Sequence, residues 1–395
     1  MNKLRSVPLR LLLIFTIAAV FTQKANAQAA DTPVRIAVLA PLYIDSAFDN
    51  TTYKLSNTSM PRYILPGLEF YNGVMMAVDS LQKQGQNIDL WVYDTKKKDR
   101  SIDALANEMA PLHFSLIIAS LSNLTEQKRF SEFSFANNVP LVSATYPNDA
   151  YVTGNPFFIM LNSTLRTHVE GLYKYLQRSY PVAKFLYVTR KGSMEEKMLG
   201  MYADAGKKTY PINYKIVELP DNFTQEQVLP LLDSNKQNVV ICGSLDENFS
   251  TNLIRAFDEN ITYPVTLAGA PTWDGLRQVL RTQNENVSIV YSTPFNYPKI
   301  DLQLMTLSNQ YRLKFNSRAS DMVFKGYESM TYFSKLLLKY HNDFLNNLSD
   351  TKYKVANSFL LQPVKLTANA QVPDYIENKH LYFITRNKGV ITAVN

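Results

Sequence analysis

The sequence predicts an α/β protein built as two Rossmann-like parallel-sheet lobes, and three observations carry that prediction. From Val34 onward, apolar runs of strand length alternate with segments of helical periodicity, the order of parallel βαβ units. The alternation runs twice, in two series of the same order and similar length, although no residue-level repeat links them. A chain of 395 residues is also longer than one hydrophobic core usually serves. With 46% hydrophobic residues, 24 Tyr and 21 Phe, it has the material for two cores.

The first series opens with a continuous apolar strand from Val34 to Ala40, followed by a polar loop rich in Asn, Thr and Ser that runs to Leu65. Pro66-Gly67 then starts a helix whose Phe70, Tyr71, Val74, Met75, Val78 and Leu81 share one face. A strand at Ile88 to Tyr93, a helix at Ser101 to Ala110 and a strand at Leu116 to Ala119 follow. A helix at Thr125 to Ala136 and a strand at Leu141 to Ser143 complete the series.

The second series runs through a helix at Thr164 to Arg178, a strand at Lys184 to Thr189, a helix at Met194 to Lys207 and a strand at Tyr214 to Glu218. It continues with a helix at Gln225 to Leu232, a strand at Asn238 to Cys242, a helix at Asn248 to Glu259 and strands at Pro264 to Ala268 and Val287 to Tyr291. Two long helices follow, Leu302 to Phe315 and Met322 to Tyr340, the second capped by Ser320-Asp321. The tail from Leu381 to Thr385 and from Val390 to Val394 reads as a β-hairpin.

Ahead of these elements stand Lys3, Arg5 and Arg10, an apolar run from Leu11 to Phe21, and Ala25-Asn26-Ala27. That is the order of a cleavable secretory signal over residues 1–27, cut after Ala27. The run is shorter than the roughly 20 residues of a membrane span, and the cut site carries no cysteine for a lipid anchor. A periplasmic or secreted chain without a membrane span is expected. Losing Lys3, Arg5, Arg10 and Lys24 with the leader removes four positive charges from a formal net of +7, leaving a chain near neutral. Lys96-Lys97-Lys98 therefore reads as a solvated loop, and no nucleic-acid partner is expected. Cys242, alone and inside Val239-Val240-Ile241, reads as an inert core thiol.

Two small hydroxyl-rich clusters stand out. Ser120-Leu121-Ser122-Asn123 and Ser143-Ala144-Thr145-Tyr146 each follow an apolar strand, so both lie where a parallel sheet hands its chain to a helix. That carboxyl edge is the ligand crevice of open α/β sheets. Free hydroxyls and helix N-terminal amides there suit a small polar or anionic group, and Ser122 and Asn123 serve equally well as N-caps. No neighbouring residue offers bond-breaking chemistry. His113, His168, His341 and His380 are scattered without metal-ligand spacing, and no phosphate loop, dinucleotide fingerprint or nucleophile elbow is present. Glu195-Glu196, adjacent on a helix, point apart. The sequence thus reads as a binder, with neither enzyme activity, metal nor cofactor expected.

Several stretches resemble the type 1 periplasmic solute-binding proteins, in the branched-chain amino acid and amide branch that serves ABC importers. Arg35 to Leu42 is similar to the opening strand and first ligand loop, Gly67 to Asp79 to the first helix, Tyr93-Asp94-Thr95 to the second unit, and Asn138 to Ser143 to the strand before the second ligand loop. Gly326-Tyr327 to Leu336 is similar to the returning helix, and Gln362-Pro363-Val364 to Phe383 to the terminal segment. The resemblance implies three hinge crossings, near Asn162, Pro294 and Asn346. Lobe 1 would then hold 28–162 plus 295–346, and lobe 2 would hold 163–294 plus 347–395. It places the carboxylate-binding turn on Ser122 and Asn123 and the second polar loop on Ala144, Thr145 and Tyr146. From lobe 2 it brings Gly192-Ser193-Met194, Ser244-Leu245-Asp246 and Pro271-Thr272-Trp273, with Trp273 placed to stack on a ligand and Asp246 to meet an ammonium. Asp246 as a helix cap and Trp273 as a packing residue are the plainer readings.

The chain departs from the family's pattern at two points. Pro271-Thr272 stands where amino-acid binders place the acid that takes the ligand ammonium, and Tyr43-Ile44-Asp45-Ser46 with a long insertion over 45–65 replaces a small Gly-rich turn. Within the expected class of small polar ligands, an amino acid, an amide or a related solute, these departures shift the expectation from a standard amino acid toward a larger, less charged or aromatic-stacking solute walled by Tyr43, Tyr146 and Trp273. The expected partners are that small molecule and an ABC permease. The alternative is a cell-envelope interaction module that has kept the fold without a small-molecule ligand.

Overall fold

The computed structural model describes residues 33–55, 60–259, 261–297, 301–388 and 390–394; the expected leader and its cut site lie outside the described residues. The chain begins with β1 (Val34–Ala40), a short helix α1 (Ile44–Ala47) and a hairpin of β2 (Phe48–Asp49) and β3 (Thr52–Tyr53). The segment expected to be a plain polar loop thus carries structure of its own. Then come α2 (Leu65–Lys83), β4 (Ile88–Asp94), α3 (Ile102–Met109), β5 (Leu116–Ala119), α4 (Leu124–Ala136), β6 (Leu141–Ser143) and β7 (Phe158–Met160).

The second series holds α5 (Leu165–Ser179), β8 (Lys184–Thr189), α6 (Ser193–Lys208), β9 (Tyr214–Glu218), α7 (Gln225–Val228) and β10 (Asn238–Cys242). It ends with α8 (Glu247–Asp258), β11 (Val265–Ala268), α9 (Arg277–Arg281) and β12 (Val287–Thr293). The chain returns through α10 (Leu302–Phe315), α11 (Asp321–Tyr340), β13 (Leu361–Val364), β14 (Tyr375–Asn378), β15 (Tyr382–Asn387) and β16 (Val390–Val394).

Two seven-stranded sheets result, ordered β13-β14-β7-β6-β5-β1-β4 and β16-β15-β12-β11-β10-β8-β9. Pairing is parallel except at β13, β15 and β16, which run antiparallel to their neighbours. Each sheet is covered on both faces by apolar clusters, which is why its central strands read as unbroken apolar runs. In both sheets the first strand lies between the second and the third, so each has a topological switch point, between β1 and β5 and between β8 and β10.

Helices α2 and α11 cross over the first sheet at backbone contact. A Cβ on Gly73 would run into the Val323 carbonyl, and one on Gly326 into the Phe70 carbonyl, so both positions require glycine. The buried face of α2 includes Met76 where the helical pattern suggested Met75.

The chain leaves the first sheet after Met160 and the second after Thr293. The third passage differs from the expectation near Asn346. Residues after α11 stay with the first lobe, because the Tyr332 hydroxyl donates to the carbonyls of Leu348 (2.9 Å) and Asp350 (3.0 Å). Strand β14 then pairs with β7, Ile376 opposite Ile159. The chain enters the second sheet only between Asn378 and Tyr382, so 347–378 belongs to lobe 1. Pro363 lies in β13, the edge strand, where a missing N–H costs no ladder bond.

Candidate ligand-binding cleft

At the first switch point the turn after β1 is a cradle of amides already filled. Asp94, at the end of β4, accepts the N–H groups of Leu42 (3.0 Å), Tyr43 (3.2 Å), Ile44 (2.9 Å) and Lys96 (2.8 Å). Tyr43 adopts a left-handed conformation, φ 52°, and its ring meets that of Tyr63 edge-on at 5.0 Å. Asp45 of the insertion accepts the Lys98 N–H at 2.9 Å and so ties α1 to the lysine loop.

The turn after β5 is filled in the same way. Asn123 caps α4, its Oδ1 accepting the Glu126 N–H at 2.9 Å. The buried Glu126 side chain folds back, and its Oε2 accepts both the backbone N–H (3.0 Å) and the hydroxyl (3.1 Å) of Ser122. Its other oxygen pairs with Lys96 Nζ at 2.5 Å. A carboxylate of the chain itself thus occupies the anion seat at the head of α4, where helix amides and dipole favour negative charge. In the neighbouring turn Ala144 is buried, Thr145 donates its hydroxyl to the Leu121 carbonyl at 3.0 Å, and Tyr146 packs against the lobe 1 core.

Lobe 2 repeats the arrangement. Ser193 starts α6 behind Gly192 with an exposed side chain. Glu195 curls back over Gly192 and accepts the hydroxyl of buried Ser244 at 2.7 Å, while Glu196 faces solvent. Asp246 caps α8 by accepting the Phe249 N–H at 2.8 Å, and its second oxygen lies 3.4 Å from Arg190. Thr272 is exposed on the turn Pro271–Gly275.

Trp273 differs from the sequence expectation: it is 0% exposed, lodged in the lobe 2 core with its ring over Gly269. It packs the lobe and cannot present a stacking face to a solute. Ala144 and Ser244 are equally withdrawn, Ser244 having spent its hydroxyl on Glu195. Tyr43, Ser122, Asn123, Ser193 and Asp246 do gather at the two switch points. The residues that sequence reasoning missed are the occupants, Asp94, Glu126 and Glu195. Of these, Glu126 and Glu195 carry a local signal, an acid three positions after an N-cap, stronger for Glu126 because its cap is Asn123 where that of Glu195 is Gly192.

The lobes also flank an open cavity of about 880 Å³ beside the crossings, lined by the loop after β6, by α5 and α6, and by the chain around β13 and β14. The crossings next to it are bonded to one another. The Ser163 hydroxyl donates to the Asn378 carbonyl at 2.7 Å, the Thr164 N–H to Glu377 at 2.7 Å, and Asn378 Nδ2 to the Leu161 carbonyl at 3.3 Å. The remaining crossing runs beside the last one, Thr293 pairing with Tyr382, and its Asn296 N–H donates to Asn357 Oδ1 at 2.7 Å. Buried Glu328 accepts the Asn357 N–H (2.6 Å) and the Tyr297 hydroxyl (3.2 Å), and burial pushes its carboxyl above the usual range.

Cys242 is buried and its thiol pushed up to about 11 by burial, which leaves it unreactive. Among the described residues no cluster of three or more His, Cys, Asp or Glu is arranged to hold a metal, and no helix is long and apolar enough to cross a membrane.

No protein-family model matches the chain, and no curated protein does. Solved structures do. A substrate-binding protein of an ABC transporter from Desulfitobacterium hafniense, in complex with Leu, is 13% identical over 92% of this chain and 100% of its own, with a TM-score of 0.57. A putative branched-chain amino acid ABC transporter protein from Rhodospirillum rubrum is 12% identical over 92% and 100%, with a TM-score of 0.61. The branched-chain amino acid substrate-binding protein LivJ from Streptococcus pneumoniae, in complex with isoleucine, is 14% identical over 92% and 99%, with a TM-score of 0.52. With its two switch-point sheets and a chain passing three times between them, this protein has the fold of the type 1 periplasmic solute-binding proteins.

Proposed function

We propose that this chain captures a small molecule between its two lobes, outside the cytoplasm, and delivers it to an ABC-type permease or a sensor. The observation that carries the reading is the cavity of about 880 Å³ to which both lobes contribute walls. It falls within the size range of small-molecule sites and lies beside bonded crossings about which lobes of this fold close. The signal-like N-terminus supports an extracytoplasmic site of action. The reading involves no catalysis.

A thermal-shift screen of amides, amino acids, short peptides, nucleosides and aromatic acids tests it. A solute at 100 times its dissociation constant should stabilise the fold by about 2.7 kcal/mol. A folded protein whose melting temperature no solute raises would sink the proposal.

A second reading, a cell-envelope interaction module, is favoured by one observation: the amides at both lobe 1 switch-point turns are filled by Asp94 and Glu126. Under it the same screen stays flat, and a partner protein raises the melting temperature instead.

A further inference from the structure

We infer that the inter-lobe cavity is the seat of an aromatic organic anion, its ring lying on Tyr151 and its charge held between Lys197 of one lobe and Lys365 of the other. This rests on the reading of solute capture and goes further in naming the ligand class and the residues that select it.

The first observation is a turn that works against its own sequence. Asp149 to Val152 closes with the Val152 N–H donating to the Asp149 carbonyl at 3.0 Å, and both central residues have positive φ, Ala150 at 53° and Tyr151 at 56°. Such a turn favours Asn-Gly, and a tyrosine there is strained. The conformation is held by two local side-chain bonds and one distant one: Asn148 Oδ1 accepts the Ala150 N–H (2.8 Å), Asp149 Oδ1 the Tyr151 N–H (3.1 Å), and the Tyr375 hydroxyl fixes Asp149 Oδ2 (3.2 Å). The strained residue presents its ring to the cavity at 77% exposure. Strain kept in this way points to a use for the side chain.

The second observation is the lining. Met194 on α6, 41% exposed, and Leu366 beyond β13, 49% exposed, show apolar surface to the same cavity from different segments. Its charges are mostly spent: Arg166 pairs with Asp204 at 3.5 Å, Lys208 with Glu170 at 2.8 Å, and Lys379 with Glu377. Among the described residues Lys197 and Lys365 have no carboxylate partner, and they line the cavity from opposite lobes. An anion bridging them would draw the lobes together. The head of α4, where a ligand carboxylate would otherwise settle, already holds Glu126.

The test is calorimetric titration of the whole protein with three ring anions, indole-3-acetate, 4-phenylbutyrate and naphthalene-2-sulfonate, against neutral indole-3-acetamide and ringless acetate. At least one ring anion should bind, with the amide and acetate each at least tenfold weaker. Tyr151→Gly suits the turn better than tyrosine, so it should fold at least as well and yet lose tenfold or more in affinity; the pair Lys197→Met and Lys365→Met should do the same. The inference is overturned if none of the three anions binds folded protein, if the amide binds as tightly as the acid, or if Tyr151→Gly binds like the parent. A solute from the thermal-shift screen that stabilises parent and Tyr151→Gly alike would overturn this inference and leave solute capture standing.

Discussion

Glu126 decides what the Ser122 turn can do. A free carboxylate arriving there meets a carboxylate already holding the Ser122 N–H and hydroxyl and neutralising Lys96. Two like charges in one seat repel, so a ligand carboxylate, which the family resemblance assigns to this turn, should bind there only if Glu126 gives way. Glu126→Ala should empty the seat and strand the Ser122 donors and Lys96, at a cost of about 1–3 kcal/mol. Acetate should then restore part of the loss, while chloride at equal ionic strength should not. Melting temperatures of parent and variant in the two salts check this, and a variant indifferent to acetate would mean the seat collapses when emptied. Both hydroxyl clusters were legible in the sequence because each follows an apolar run. The ion pair that fixes the occupant of the first was not, since Lys96 reaches Glu126 only because β4 and β5 both pair with β1, an order the sequence does not give. Trp273 failed for another reason: an aromatic just past a strand end reads alike whether it turns toward the crevice or, as here, into the core.

At the scale of elements, α5 lies against β12 through His168, whose Nδ1 sits 2.8 Å from the Ser292 hydroxyl in full burial. Burial pulls this imidazole down to about 3, so it stays neutral in the fold while the unfolded chain titrates near the ordinary value. The unfolded state therefore binds the extra proton below about pH 6.5, and stability falls with acid down to the folded value. The loss should reach about 2 kcal/mol at pH 5. His168→Gln should flatten that slope between pH 7 and 5 in urea titrations, whatever it does to stability at pH 7; an unchanged slope would refute the assignment. Long strands such as Lys184–Thr189 and Asn238–Cys242 were legible to the residue because both their faces are buried. Strands β7, β13 and β14 were missed because three or four residues carry too little pattern to separate a strand from a loop, and Pro363 argued against one of them.

For the whole molecule, the late third passage makes a claim about which pieces fold. Lobe 1 needs β14 beside β7 and β13 beside β14, so a fragment stopping near Asn346 lacks two strands of its sheet. A chain joining 33–162 to 295–379 through a Gly/Ser linker should unfold cooperatively in denaturant. One joining 33–162 to 295–346, the boundary the sequence suggested, should not. Two equally cooperative transitions would return the boundary to Asn346. The two-lobe plan itself was readable, since each series repeats strand and helix in the same order. The final boundary was not, because it depends on which sheet a four-residue strand joins.

The bonded crossings carry a mechanical consequence. Ser163, Thr164, Glu377 and Asn378 lash two of the three connections together, and Thr293, paired with Tyr382, lays the third beside them, with Asn296 held on Asn357. Three connections bonded side by side make one narrow band, and lobes joined through such a band swing more readily than they slide. Scattering profiles of the empty and occupied protein should accordingly differ by an opening of the lobes about that band.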